Sequence, residues 1–187
     1  ARDASEKDAA AAAPPPDRKD KVPTVCAAIR RAIEKRGTSS DRWELATLTS
    51  YASGENPDLG SALRRVAAAR QKELDGASSD ASSPTSGGVD AAAALKHLLF
   101  LVGGKTLYSA ALGTYDLSLA YLVAQHAQMD PGEYVAELQI LQNMREHERR
   151  ADIARRLGKY EEAIVEYMLD ADVDRAAAVA AEQKLFP

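Results

Sequence analysis

The chain has 187 residues and a formal net charge of −4; it is 45% apolar but only 5% aromatic, and it holds a single cysteine. That length allows one sizeable core or a short solenoid. The acidic balance excludes a global basic field for nucleic acid, and the lone Cys26 excludes an intrachain disulfide framework and fits a reducing compartment. No apolar run reaches transmembrane length, nothing has the layout of a signal peptide, and abundant Ala, Leu, Arg and Glu favour helix.

Residues 1–21 combine an Ala run, Pro14-Pro15-Pro16 and mixed charge without apolar periodicity, and read as a flexible N-terminal segment. Residues 22–187 read as helical repeats. Pro23 suits the first turn of a helix with Val25, Ile29, Ala32 and Ile33 on one face and Gly37 as its stop. Asp41 and Glu44 have capping-box spacing for a second helix that would bury Leu45, Leu48 and Ala52, ending at Gly54. Asn56-Pro57-Asp58 restarts the chain into a stripe of Leu59, Leu63, Val66 and Leu74. From Gly76 to Gly88 the sequence is almost wholly small and polar, so a disordered loop is expected to interrupt the repeats. Ser83-Pro84 within it could accept a proline-directed phosphate, a pair common in any loop.

Helix resumes at Asp90 with Leu95, Leu98, Leu99 and Val102, and Gly103-Gly104 breaks it before a short helix from Lys105 to Leu112. Leu98–Val102 is the only strand candidate, and its flanks are helical. Leu119, Leu122, Val123 and His126 share the next face. Asp130-Pro131-Gly132-Glu133 is a helix-start signal, followed by a stripe of Tyr134, Leu138, Leu141 and Met144. A basic segment turns Ile153 and Leu157 inward. Ile164, Tyr167, Met168 and Ala171 carry its partner helix, and Val173, Ala177 and Ala180 carry the last. About nine helices are expected. The chain lacks an initiator Met and ends on Leu185-Phe186-Pro187 as a helix closes, so a piece of a longer protein is expected.

One phrase occurs twice: Gly113-Thr114-Tyr115-Asp116 and Gly158-Lys159-Tyr160-Glu161, 45 residues apart, each between two apolar-periodic runs. A Gly can close a helix in the left-handed region, and an aromatic two residues on can pack into the turn. Gly113, Tyr115, Gly158 and Tyr160 are therefore the expected structural turn and packing residues. The fold class is all-α, an α-solenoid of irregular tetratricopeptide-like hairpins, although the true tetratricopeptide is shorter, at about 34 residues.

The chemical motifs are weak. Gly103-Gly104-Lys105-Thr106 ends like a phosphate-binding loop, but Leu99 stands where the loop's first Gly must be. His147-Glu148 begins like a zinc-protease helix, but Ala151 stands at the second His position. His97 and His126 read as partly buried packing residues, and Cys26 as a small hydrophobe. The run 145–156 is the one basic concentration. Arg149, Arg150, Arg155 and Arg156 could form a weak phosphate or acidic-partner contact, against the plainer reading of a solvated face paired by Glu146, Glu148 and Asp152. No catalytic, cofactor-binding or metal-binding residue is identified.

Taken together, the phrases Val25-Cys26, Pro57-Asp58-Leu59-Gly60-Ser61-Ala62-Leu63, Ala111-Leu112-Gly113-Thr114-Tyr115-Asp116, Asp130-Pro131-Gly132-Glu133-Tyr134 and Leu157-Gly158-Lys159-Tyr160-Glu161 resemble the helical region of the Elongator largest-subunit (IKAP) family. The resemblance runs from about Val22 to Phe186. It implies a non-enzymatic scaffold segment without cofactor, membrane or small-molecule substrate. Its implied partners are other Elongator subunits, with homodimerisation of the parent chain outside this stretch. It also implies indirect contact with tRNA, whose wobble uridine a separate catalytic subunit modifies. The implied location is cytoplasmic, with the nucleus as a second compartment. The competing readings are a vesicle-coat or intraflagellar-transport subunit and an RNA-binding helical module.

Overall fold

The computed structural model describes residues 21–36, 43–54, 56–77 and 90–183. Among them are ten helices and no strand: α1 (Lys21–Arg36), α2 (Glu44–Ala52), α3 (Leu59–Ala77), α4 (Ala91–Val102), α5 (Gly104–Leu112), α6 (Leu117–His126), α7 (Pro131–Asn143), α8 (Glu146–Arg156), α9 (Tyr160–Leu169) and α10 (Val173–Glu182). Leu98–Val102 is helical, and the basic run forms a helix of its own, so the count is ten rather than nine. The expected flexible start lies outside the described residues apart from Lys21, where α1 begins. Of the expected loop at 76–88, Gly76 and Ala77 belong to α3 and the rest lies outside the described residues.

Except between α7 and α8, helices pack closely on their sequence neighbours, and some across one step: α5 on α6, α8 on α9, α9 on α10, with α4 reaching α2, α3 and α6. This short-range connectivity is that of a solenoid, in which each repeat buries its apolar face on the next. A continuous core runs from Leu48 on α2 to Ile153 on α8, with Leu63, Leu95, Leu98, Leu107, Val123 and Leu141 fully enclosed. A smaller cluster of Ala151, Tyr167, Ala176 and Val179 holds α8–α10 together, with Tyr160 and Ile164 packed on it.

Aspartates start the helices. Asp90, Asp116, Asp130 and Asp172 each accept a hydrogen bond from a backbone N–H in the first turn of α4, α6, α7 and α10, and Asp58 does so for α3 through Ser61. Each satisfies amides that have no partner within the helix. The capping box expected from Asp41 and Glu44 does not start α2. Asp41 lies outside the described residues, Trp43 is the N-cap, and the buried Glu44 carboxylate takes both Nε and Nη2 of Arg65 at 2.8 and 2.7 Å. That bidentate pair ties α2 to α3.

Several expected faces are rotated. On α1, Val25 and Ile29 face solvent while Cys26 is buried. Leu45 on α2 and Leu74 on α3 are exposed, while Thr47 and Ser50 on α2 are buried. On α9 the buried pair is Ala163 and Tyr167, not Met168; on α10 it is Ala176 and Val179 with Ala180, not Val173 or Ala177. On α2, α9 and α10 the buried positions include Thr47, Ser50, Ala163, Ala176 and Ala180, small residues that let helices approach closely.

Candidate interaction site

The duplicated phrase does not build a duplicated turn. Gly158 has φ +74 with open space where a Cβ would stand, the left-handed position after a helix that Gly takes freely. Gly113 contradicts the expectation: its φ is −66, and Tyr115 takes the left-handed conformation at φ 61. Helical bonding persists past Leu112, with the N–H groups of Thr114 and Tyr115 bonded to the carbonyls of Ala111 and Leu112, so the reversal comes two residues later. Gly113 serves contact instead, because a Cβ there would lie 3.2 Å from Leu157 Cδ1. The turn that truly recurs is at Gln128, Gly158 and Ala171. Each is left-handed, and the following N–H reaches back to Ala124, Ala154 or Tyr167 at 3.1, 2.9 and 2.9 Å.

Tyr115 is held in its strained backbone by its ring. The half-buried side chain packs on the main core, its hydroxyl donates to Glu162 Oε2 at 3.2 Å, and the Arg150 guanidinium lies 5.8 Å over the ring. Burial, then the Glu162 charge, pushes its phenol above its ordinary range. Tyr160 opens α9 and packs, half-buried, on the second cluster.

The arginines of α8 divide sharply. Arg150 pairs with Glu146 at 2.6 Å and lies 4.0 Å from Glu166; Arg155 lies 3.7 Å from Asp152. Arg156 bonds Asp152 and Glu137 at 2.7 and 2.6 Å, and the other oxygen of Glu137 accepts from the Tyr108 hydroxyl at 2.8 Å, linking α5, α7 and α8. Burial and then this bond push the Tyr108 phenol well above its ordinary value. Arg145 reaches Asp170 at 2.8 Å, and His147 Nδ1 lies 2.8 Å from Glu166 Oε2. Among the described residues, Arg149 alone of the α8 arginines has no carboxylate, and its Nε is buried without a hydrogen-bond partner. It lines a cleft of about 680 Å³ between α3, α6, α7 and α8, together with Arg70, Tyr115, Asp116, Tyr121 and Gln142.

A family model described as the ELP1 alpha-solenoid matches residues 3–141. The chain belongs to the ELP1 alpha-solenoid family. Similar proteins include Elongator complex protein 1 of Arabidopsis thaliana, 37% identical over 145 residues, covering 78% of this chain and 11% of that protein. The rabbit protein of that name (Oryctolagus cuniculus) is 37% identical over 145 residues, covering 77% and 10%; that of Saccharomyces cerevisiae is 32% identical over 154 residues, covering 82% and 10%. The chain thus spans about a tenth of the length of the curated relatives it matches.

Within this ELP1 alpha-solenoid, the family match ends in α7, and the cleft joins helices from inside it to α8 beyond it. Sequence reasoning singled out Tyr115 and Arg149 but missed Arg70, Gln142 and Glu137, which sit on exposed or half-exposed helix positions with no local motif. The Gly103–Thr106 stretch has a packing role: a Cβ on Gly104 would lie 2.9 Å from that of Ala127, so α5 starts hard against the end of α6. His97, half-buried as expected, lies 2.8 Å from Thr49 Oγ1 and joins α4 to α2.

Proposed function

We propose that this segment is a non-catalytic scaffold element of an Elongator-type complex, holding other subunits in place while a separate catalytic subunit modifies the wobble uridine of tRNA. The observation that carries the reading is the family match over residues 3–141 together with relatives named Elongator complex protein 1. The fold supports it: stacked helices offer long outer surfaces, and such arrays commonly serve as binding platforms. Work in the cytoplasm, with a nuclear pool, accords with this role. The test is to place Leu98→Ala or Tyr160→Ala in the full-length protein in cells and follow subunit co-purification and modified tRNA together. Both should fall while the purified catalytic subunit keeps its own chemistry. Normal assembly and modification, with the mutant protein demonstrably destabilised, would overturn the proposal.

A further inference from the structure

The cleft bounded by α3, α6, α7 and α8 holds charges that no carboxylate among the described residues neutralises. Arg150, Arg155 and Arg156 on the same helix each have a carboxylate within 4.0 Å, supplied by α7, α8 or α9. Arg149 has none among the described residues, although its Nε is shut off from solvent and has no hydrogen-bond partner there. A half-buried guanidinium with an unsatisfied N–H is costly to keep and is normally answered by an acceptor. Across the cleft, Arg70 on α3 is half-buried and likewise has no ion pair among the described residues. The one acid in the lining, Asp116, spends its Oδ1 on the amides of Ser118 and Leu119. The remaining wall offers Gln142 as donor and acceptor and the rings of Tyr115 and Tyr121, the first held in a left-handed backbone that L-residues avoid.

We propose that this cleft receives a short acidic segment of a partner protein, with Arg149 and Arg70 gripping its carboxylates and the tyrosine rings covering an adjoining apolar side chain. Arginine forks suit planar carboxylates, and two unpaired cations facing one concavity match one or two acidic side chains. A nucleic-acid backbone fits less well. It needs a track of free cations, and the rest of the α8 arginines are already neutralised within the chain. The inference goes beyond the scaffold reading and holds whichever complex the chain joins, because it stands on the cleft alone.

The test is fluorescence anisotropy with the 187-residue chain and three labelled probes: a short Glu-rich peptide, the same peptide with Gln for Glu, and a short oligouridylate. The Glu peptide should bind saturably and about tenfold tighter than its Gln counterpart, and Arg149→Gln and Arg70→Gln should each weaken it about five- to tenfold. Arg155→Gln, which removes a cation already near Asp152, should leave binding unchanged. Thermal melts separate this from a structural role: the docking reading expects Arg149→Gln to hold or raise Tm, since the orphaned N–H goes. No saturable binding of the Glu peptide, equal binding by all three variants, a preference for oligouridylate, or a lowered Tm in Arg149→Gln would each overturn the proposal.

Discussion

From α2 to α7 the core is built on large enclosed side chains, Leu48, Leu63, Leu95, Leu98, Leu107 and Leu141, with Ala62, Ala111, Ala120 and Ala124 between them. From α8 to α10 the buried residues are mostly alanine, with Ala151, Ala154, Ala163, Ala176 and Ala180 letting the helices close in. There the surface is laced with ion pairs, Arg145 with Asp170, Arg150 with Glu146 and Arg175 with Glu148. Removing large apolar area from water is the dominant stabilising term, whereas exposed ion pairs contribute little each. The first region should therefore set the stability of the chain and the second its local order. Ile153 joins them: it lies on α8 yet is fully buried in the main core.

The largest effect should come from breaking the first region. Leu98 is fully buried in α4, and Leu98→Ala should cost about 2–5 kcal/mol through lost transfer energy and the cavity left behind. Chemical denaturation would show it as a lower midpoint, and a loss well under 1 kcal/mol would mean the core is looser than its burial implies. Tyr160→Ala removes a ring that is only half-buried on the smaller cluster, so about 1–2 kcal/mol is expected. Hydrogen exchange should speed up across α8–α10 while α4–α6 keep their protection. Equal deprotection of both regions would erase the distinction between them.

The two glycines of the repeated phrase sharpen the comparison further. Gly158→Ala puts a Cβ on a left-handed residue and should cost about 1 kcal/mol even though the space is open. Gly113→Ala sits in right-handed helical backbone, where the flexible tip of Leu157 at 3.2 Å can give way and the Ala110 carbonyl at 3.3 Å is the preceding helical turn, so its effect should be well under about 1 kcal/mol. Paired melts of the two variants decide it. A larger loss at Gly113 would show that contact, not backbone, governs that turn.

Those turns also show where sequence was legible. Asp130-Pro131 was readable as a helix start because the cap and the fixed proline φ act within three residues. The stripes of α6 and α7 were readable because Leu, Val and Tyr stand at helical spacing against polar neighbours. In α10 alanine occupies nearly every face, so periodicity cannot tell Ala176 from Ala177; only the packing of α9 against it does. In α1 the apolar stripe of Val25 and Ile29 is real, yet it faces solvent; Cys26 is the buried residue, and Arg30 reaches α2, bonding the carbonyl of Ser50 and stacking on Tyr51. The letters Gly-Thr-Tyr and Gly-Lys-Tyr match, but helical bonding beyond Leu112 shifts one reversal by two residues. The singularity of Arg149 was not legible at all. Its neighbours are neutralised partly by Glu137 and Asp170 from other helices, and those pairings exist only after folding.

The smallest effect concerns the ion pairs themselves. Arg175 Nη1 lies 2.6 Å from Glu148 Oε1, and this bond outweighs the desolvation that opposes it and, with the charges of Arg175 and Arg145, holds the Glu148 carboxyl below its ordinary value of 4.5. A carboxylate with a lowered folded-state value binds fewer protons folded than unfolded near that pH. Its contribution is therefore present above about pH 4.5 and is lost as the pH falls through the folded value. Asp58, lowered by its hydrogen bonds to Ser61, acts in the same direction at the start of α3, so acid should loosen both regions. Arg175→Gln separates them: it removes the Glu148 share and leaves the α3 cap intact. Melting curves from about pH 6 to pH 3 should fall less steeply for the variant than for the parent chain, and added salt should narrow the gap because Arg175 is exposed and Glu148 only partly buried. Parallel curves at low and high salt would show that the Arg175–Glu148 pair adds no stability and that the packing of Ala151, Tyr167, Ala176 and Val179 holds those helices.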